Sequence, residues 1–372
     1  MSVYQGRIER LREKFAPSNL DALLVSQPES RYYLSGYSGH DLPPRDSAGY
    51  LLITRDRAYL LTDSRTSEQA GNECPDYLVL EYNMKARLTQ RLAELARRDG
   101  LHRIGFEAVH LPYNTYQHIA DILRGHAELV ATSDLVDQLR IVKDEAELAR
   151  LRASQQALDE CFAHVRASLR AGLTERQVAR MVEDYLRAHA DGPSFSSIVA
   201  SGPNASMPHA VVTDREIQPG EPITIDIGAL YQGYCSDMTR TVCLGPAPEK
   251  LKEIYNIVLE AQEAAEAALR PGMTGKQADA VARDIIKAAG YGENFGHGTG
   301  HGIGLEVHEP PSLSPIRGEN ELRPGMVFSV EPGIYLPGWG GVRIEDLVVM
   351  QEDGAEVLAR STKQLEIDGA GS

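Results

Sequence analysis

The chain has 372 residues, 42% hydrophobic and 24% charged, with a formal net charge of -15. That length exceeds one typical compact domain and suits two, while the composition is that of an ordinary globular protein. The acidic balance argues against a nucleic-acid partner, which needs clustered Lys and Arg facing phosphates, and no apolar run is long enough to span a bilayer.

The opening segment, MSVYQGRIERLREKF, has no apolar core of the leader type. Cys74, Cys161, Cys235 and Cys243 form no CxxC pair and read as reduced, partly buried thiols. Both features give a cytoplasmic expectation. Further along, 22–25, 49–53 and 58–61 read as buried strands, 88–98 as a helix and 103–106 as another strand. This alternation predicts an α/β layer domain over residues 1–135. Between two of its strands, the polar, Gly- and Pro-rich stretch 35–50 is long enough to suggest a functional loop, though a surface turn is the plainer reading. A segment without Pro or Gly from 143 to 169 predicts the helix that opens a second domain, residues 143–368.

The second domain repeats itself. Gly172, Thr174, Gln177, Asp184, Gly192 and Phe195 recur 100 residues later as Gly272, Thr274, Gln277, Asp284, Gly292 and Phe295. His209 is matched by His308, and Asp226 after Pro219-Gly220 by Glu331 after Pro324-Gly325. Gly233 and Asp237 correspond likewise to Gly341 and Glu345. In order and at nearly constant offset, these matches imply two related halves, each a helix pair followed by strands.

Each half presents two acids on a strand, a Gly- and Tyr-rich turn and a returning strand: Asp226 and Asp237 in ITIDIGALYQGYCSD, Glu331 and Glu345 in FSVEPGIYLPGWGGVRIED. A lone Asp is commonly a solvated turn residue. Asp226 and Glu331, however, sit inside apolar runs, where a bare carboxylate is costly without a cation. Four acids at matching positions suggest a divalent metal pair. Between the halves, GHGTGHGIGLEVHEP supplies His297, His301 and His308 among closely spaced glycines. No dinucleotide loop, zincin helix, P-loop or nucleophile elbow is present.

At these residues the chain resembles metallopeptidase family M24, the creatinase, prolidase and aminopeptidase P superfamily. The resemblance covers nearly the whole chain and rests on ASGPNASMPHA, IDIGALYQGYCSDMTRT, GHGTGHGIGLEVHEP and VEPGIYLPGWGGVRIED. It implies an α+β architecture: an N-terminal creatinase-like α/β domain followed by a duplicated pita-bread catalytic domain. Asp226, Asp237, His301, Glu331 and Glu345 match the family's metal ligands. His209 and His308 match its two non-ligand histidines, and Tyr335 and Arg343 match residues that line and support the site. The implied cofactor is two divalent ions. An oxygen-dominated ligand set favours Mn²⁺, with Co²⁺ or Zn²⁺ able to enter.

The implied activity is hydrolysis of the Xaa-Pro bond at a peptide N-terminus, with Glu331 as proton acceptor and His209 and His308 steering the oxyanion and the leaving nitrogen. Two-domain bacterial aminopeptidase P enzymes look similar, so aminopeptidase P is the leading expectation. The alternative is a strict Xaa-Pro dipeptidase, which needs a cation for the free prolyl carboxylate. Arg317 is a candidate for that cation and equally reads as a solvated loop residue. A non-catalytic binding protein on the same fold is a remote third reading, disfavoured by the intact ligand set. The resemblance also implies a homodimer with the N-terminal domain of one subunit near the other's active site; on that basis loop 35–50 is expected to line the partner's substrate entrance, with Asp41 suited to an α-amino group and Arg45 to a carboxylate.

Overall fold

In the computed structural model, residues 2–41 and 46–367 are described. The chain divides into two compact units at the Arg140–Ile141 junction.

The first unit is built from α1 (Val3–Glu13), β1 (Ala22–Val25), α2 (Pro28–Ser35), β2 (Tyr50–Thr54), β3 (Ala58–Thr62), α3 (Ser67–Glu73), β4 (Leu78–Glu81), α4 (Leu88–Arg98), β5 (Arg103–Glu107), α5 (Tyr113–Leu123), β6 (Glu128–Thr132) and α6 (Asp137–Arg140). Its strands form one mixed sheet in the order β4-β3-β2-β1-β5-β6. Strand β1 lies antiparallel to β2 and parallel to β5. The central strand is buried along its whole length, as its unbroken apolar run requires. The apolar stripe of α4, carried by Leu92 and Leu95, packs with Leu24 and Leu52 of the sheet into one core.

The second unit shows the duplication directly. Its first half runs α7 (Glu145–Ser168), α8 (Glu175–His189), β7 (Gly192–Pro193), β8 (Ile198–Ser201), β9 (Ile223–Ile227), β10 (Ala229–Tyr231), β11 (Tyr234–Cys235) and β12 (Met238–Leu244). The second runs α9 (Glu249–Ala268), α10 (Gly275–Ala288), β13 (Gly300–Gly302), β14 (Glu309–Leu313), β15 (Val327–Val330), β16 (Gly333–Leu336), β17 (Gly340–Arg343) and β18 (Asp346–Gln351), then β19 (Gly354–Val357) and β20 (Glu366–Ile367). The sheets are ordered β20-β12-β9-β8 and β14-β13-β15-β18-β19, so β8, β9 and β12 correspond to β13, β15 and β18. Helices α8 and α10 open on matching capping boxes, Thr174 with Gln177 and Thr274 with Gln277, which satisfy the free N–H groups of each first turn. Each half has its own apolar core: Phe162, Val178, Ile225 and Val242 in the first, Ile254, Ala282, Phe328 and Val348 in the second.

Among the described residues no helix is long and apolar enough to cross a membrane. None of the four cysteines forms a disulfide among the described residues, and all four are buried.

Candidate metal centre

The two inner hairpins of the second unit end on acids. Asp226 lies within β9 opposite Thr239 of β12, and Asp237 immediately precedes β12. In the other half, Glu331 immediately follows β15 and Glu345 immediately precedes β18. Because Val330 of β15 pairs with Asp346 of β18, both glutamates sit at one end of that ladder. The Glu345 N–H donates to the Thr239 carbonyl at 3.1 Å, stitching the two hairpins together. Strand β13 supplies His301. Its glycines are required by close backbone approach. A Cβ at Gly300 would come 1.9 Å from the Ser329 carbonyl oxygen, and one at Gly302 would come 2.2 Å from that of Pro310.

These residues line one cavity of about 770 Å³, shared by Asp226, Asp237, His301, Glu331, Arg343 and Glu345. His209, His308 and Arg317 line it too. His301 Nε2 lies 3.3 Å from Glu331 Oε1 and 3.7 Å from Asp237 Oδ2. Donor atoms of Asp237, His301 and Glu345 all fall within 4.8 Å of one another.

One oxygen of several acids is fixed by the protein. Arg343 Nη2 donates to Asp226 Oδ2 at 2.5 Å, Thr239 Oγ1 to Glu345 Oε2 at 2.6 Å, and Ser329 Oγ to Glu331 Oε1 at 3.2 Å. The remaining buried oxygens Asp226 Oδ1, Asp237 Oδ1 and Glu345 Oε1 have no hydrogen-bond partner. Burial, reinforced by the neighbouring carboxylates, pushes Asp237 and Glu345 well above the usual carboxylate range; burial also raises Glu331. His301 Nδ1 faces the Gly302 carbonyl at 3.1 Å, which can only accept, so Nδ1 carries the hydrogen and the Nε2 lone pair points at the acids. Burial also holds this ring below the usual histidine range, in its neutral form. Acceptors thus converge on acceptors, an arrangement that a divalent cation reconciles. The donor set fits such a group.

Arg343 and Tyr335 brace this wall. Arg343 Nε donates to Thr239 Oγ1 at 3.0 Å and Nη1 to Tyr335 OH at 2.8 Å. His297 Nδ1 faces the Gly298 carbonyl, so the Tyr335 hydroxyl donates in turn to His297 Nε2 at 3.0 Å. Burial pushes the Tyr335 phenol up to about 12, which keeps it a donor at neutral pH. His308 packs against His301 with ring centroids 4.0 Å apart and the rings tilted by 42°. Burial, then the neighbouring His301 and His209, push His308 down to about 4, leaving a neutral imidazole at the cavity wall.

The structure brings Asp226, Asp237, His301, Glu331 and Glu345 together with His209, His308, Tyr335, Arg343 and Arg317. Asp41 has a different occupation: Oδ1 accepts from Arg31 Nη2 at 2.8 Å and from the Ala48 N–H at 2.6 Å within the first unit. The Arg31 side chain is 1% exposed, so this carboxylate serves a buried guanidinium rather than standing free for a peptide amine. Arg45 lies outside the described residues. Three participants carry no role in the sequence reading: Thr239, Ser329 and the His297–Tyr335 bond. For Thr239 a signal existed, since Asp237, Thr239 and Thr241 alternate along one strand face.

The chain is matched over residues 149–352 by the model of metallopeptidase family M24 and over 7–142 by that of the creatinase/prolidase N-terminal domain. It is similar to an Xaa-Pro dipeptidase of Pyrococcus horikoshii, 36% identical over 98% of this chain and 100% of that one. Among solved structures it resembles an Xaa-Pro dipeptidase from Bacillus anthracis, with a TM-score of 0.92 and 41% identity over 98% of this chain and 99% of the other. It also resembles an X-Pro aminopeptidase from Thermotoga maritima, with a TM-score of 0.87 and 36% identity over 96% and 99%. The first unit is therefore a creatinase-type N-terminal domain and the second a pita-bread catalytic domain of a hydrolase whose family uses divalent metal ions. The chain belongs to metallopeptidase family M24.

Proposed function

We propose that the chain is a cytoplasmic Xaa-Pro dipeptidase, acting as a homodimer on two divalent cations held by Asp226, Asp237, His301, Glu331 and Glu345. The oxygen-rich set favours Mn²⁺ over Co²⁺ or Zn²⁺. Two such cations supply Lewis acidity and activate water at neutral pH. The rest falls to this chain's own groups. Glu331, whose carboxyl is raised by burial, accepts a proton beside the cavity. His209 and His308 donate to the carbonyl oxygen as it gains charge. They also steer a proton to the prolyl nitrogen, which has no hydrogen of its own and must leave protonated. Arg343 and Thr239 hold the acids so that their second oxygens face inward.

The observation that carries the dipeptidase reading over the aminopeptidase P expectation is Arg317. Its exposed side chain lines the cavity and its guanidinium has no partner among the described residues. A free prolyl carboxylate would pair with it; a peptide continuing past proline has no charge to offer there. The names of the Pyrococcus and Bacillus relatives point the same way, and that of the Thermotoga structure supports the aminopeptidase alternative. The test compares Xaa-Pro with Xaa-Pro-Xaa hydrolysis for wild type and Arg317→Ala. Loss of a charge-assisted bond, about 1.5–3 kcal/mol, should raise KM for the dipeptide roughly 10- to 100-fold and leave the tripeptide unaffected. Faster tripeptide cleavage, indifferent to Arg317, would establish the aminopeptidase instead.

A further inference from the structure

The C-terminal segment 358–367 lies beyond the stretch matched by the catalytic family model, yet it is bound like a structural element. Asp159 of α7 accepts from the Arg360 and Ser361 N–H groups and from Ser361 Oγ. Tyr255 of α9 donates to the Lys363 carbonyl at 2.5 Å, and the Cys243 N–H of β12 to that of Leu365 at 2.8 Å. Strand β20 then runs parallel to β12. The segment is a strap tied to both halves of the duplicated unit.

The strap carries a cation to the back of the acid wall. Lys363 Nζ lies 2.7 Å from Asp346 Oδ2, 2.7 Å from Gln262 Oε1 and 3.6 Å from Glu266 Oε2. Asp346 directly follows Glu345, and its other oxygen accepts from Arg240 Nη2 at 2.6 Å. Arg240 uses all its donors here. Nη1 bonds the carbonyls of Thr239 and Glu345, at 3.0 and 2.5 Å, and Nε and Nη2 bond the Ser361 carbonyl of the strap. Arg240 and Asp346 are each 1% exposed. Arg240 and Asp346 thus pair out of contact with water, where removing one charge leaves its partner uncompensated, and the partly buried Lys363 adds a second cation to Asp346. The backbone of Glu345 is held directly by that cluster.

We infer that the strap, through Lys363 and the Asp346–Arg240 pair, is a positioning element for Glu345 and sets the cation affinity of the centre. The inference rests on the reading of Glu345 as a cation ligand. Lys363 touches neither cavity nor acid wall. It acts through Asp346, as outer partners of ligating groups do when their loss lowers metal affinity about 10- to 100-fold.

The test titrates Mn²⁺ into metal-free full-length protein by calorimetry, for wild type, Lys363→Met, Lys363→Arg and Glu345→Gln. Lys363→Met should weaken Mn²⁺ binding about tenfold. Lys363→Arg, which keeps a cation against Asp346, should bind close to wild type. Unchanged affinity in Lys363→Met, with binding lost in Glu345→Gln, overturns the strap proposal while leaving the ligand reading intact. Unchanged affinity in Glu345→Gln overturns the ligand reading itself. A loss that Lys363→Arg shares assigns the effect to packing and also overturns the proposal. Should Lys363→Met fail to fold, Lys363→Gln keeps a polar group against Asp346 and carries the same comparison.

Discussion

Asp237 Oδ1 is buried without a hydrogen-bond partner, and Oδ2 faces a histidine lone pair. Such a carboxylate is tolerable only with positive charge nearby. Asp237→Asn should therefore abolish turnover and lower metal content while circular dichroism stays that of wild type. Activity above about a tenth of wild type at saturating Mn²⁺ would count against the assignment, since that loss is only ~1.4 kcal/mol. His209→Ala and His308→Ala should each lower kcat roughly 10²- to 10⁴-fold with full metal content by atomic emission. An emptied site would make that histidine a ligand instead. The four acids and the pair His209 and His308 were legible in the sequence because two halves repeat them in order, so each chance match was checked by its neighbours. Thr239 and Ser329 were not, because hydroxyl side chains are frequent in strands and their partners are fixed only when hairpins meet. The Arg31 partner of Asp41 was hidden for a related reason: a polar loop does not show which buried guanidinium its acid meets.

Among the elements, helices and long apolar strands were the easiest to read. The 88–98 helix appears as expected, and the 143–169 helix appears as Glu145–Ser168 behind an Asp144 cap. Of the Gly-rich histidine segment 296–308 only Gly300–Gly302 pairs as a strand, with a bulge between His301 and Gly302 that shifts the register. Past the bulge the chain forms a loop anchored from beneath. Glu309, next to His308, meets Lys143 Nζ at 2.6 Å, with the two side chains 3% and 1% exposed. Nothing in sequence joins residues 166 apart. Breaking a buried pair by removing one partner strands a charge and costs about 3–5 kcal/mol. Lys143→Met should lower the urea midpoint of the second unit accordingly, and a change under about 1 kcal/mol would mean that water reaches Glu309. Capping is smaller and local: Thr274→Ala should cost about 1 kcal/mol, read from the same unfolding curve.

At the scale of the molecule, the acid wall makes the catalytic unit's stability depend on cations. Without them the buried carboxylates of Asp237 and Glu345 oppose one another across the centre. Anything that binds the folded form alone stabilises it, by about 2.7 kcal/mol at a hundredfold excess over Kd. For a unit of this size each kcal/mol moves Tm by about 2–4 °C, so saturating Mn²⁺ should raise the transition by roughly 5–10 °C over chelated protein. The protein reports this selectively. Its single tryptophan, Trp339, packs against the core of the second half of the catalytic unit, so its fluorescence follows that unit. The first unit has a separate sheet and core, and no acid cluster of this kind is found among its described residues. Hydrogen exchange should therefore slow on adding Mn²⁺ in β9, β12, β15 and β18, where the acids are anchored, and stay unchanged in β1, β2 and β5. A Trp339 transition indifferent to Mn²⁺ would mean that the wall is stable on its own, and the acids would need another account. Equal slowing in β1, β2 and β5 would show that the cations are felt through the whole chain, and the local origin of the effect would fail.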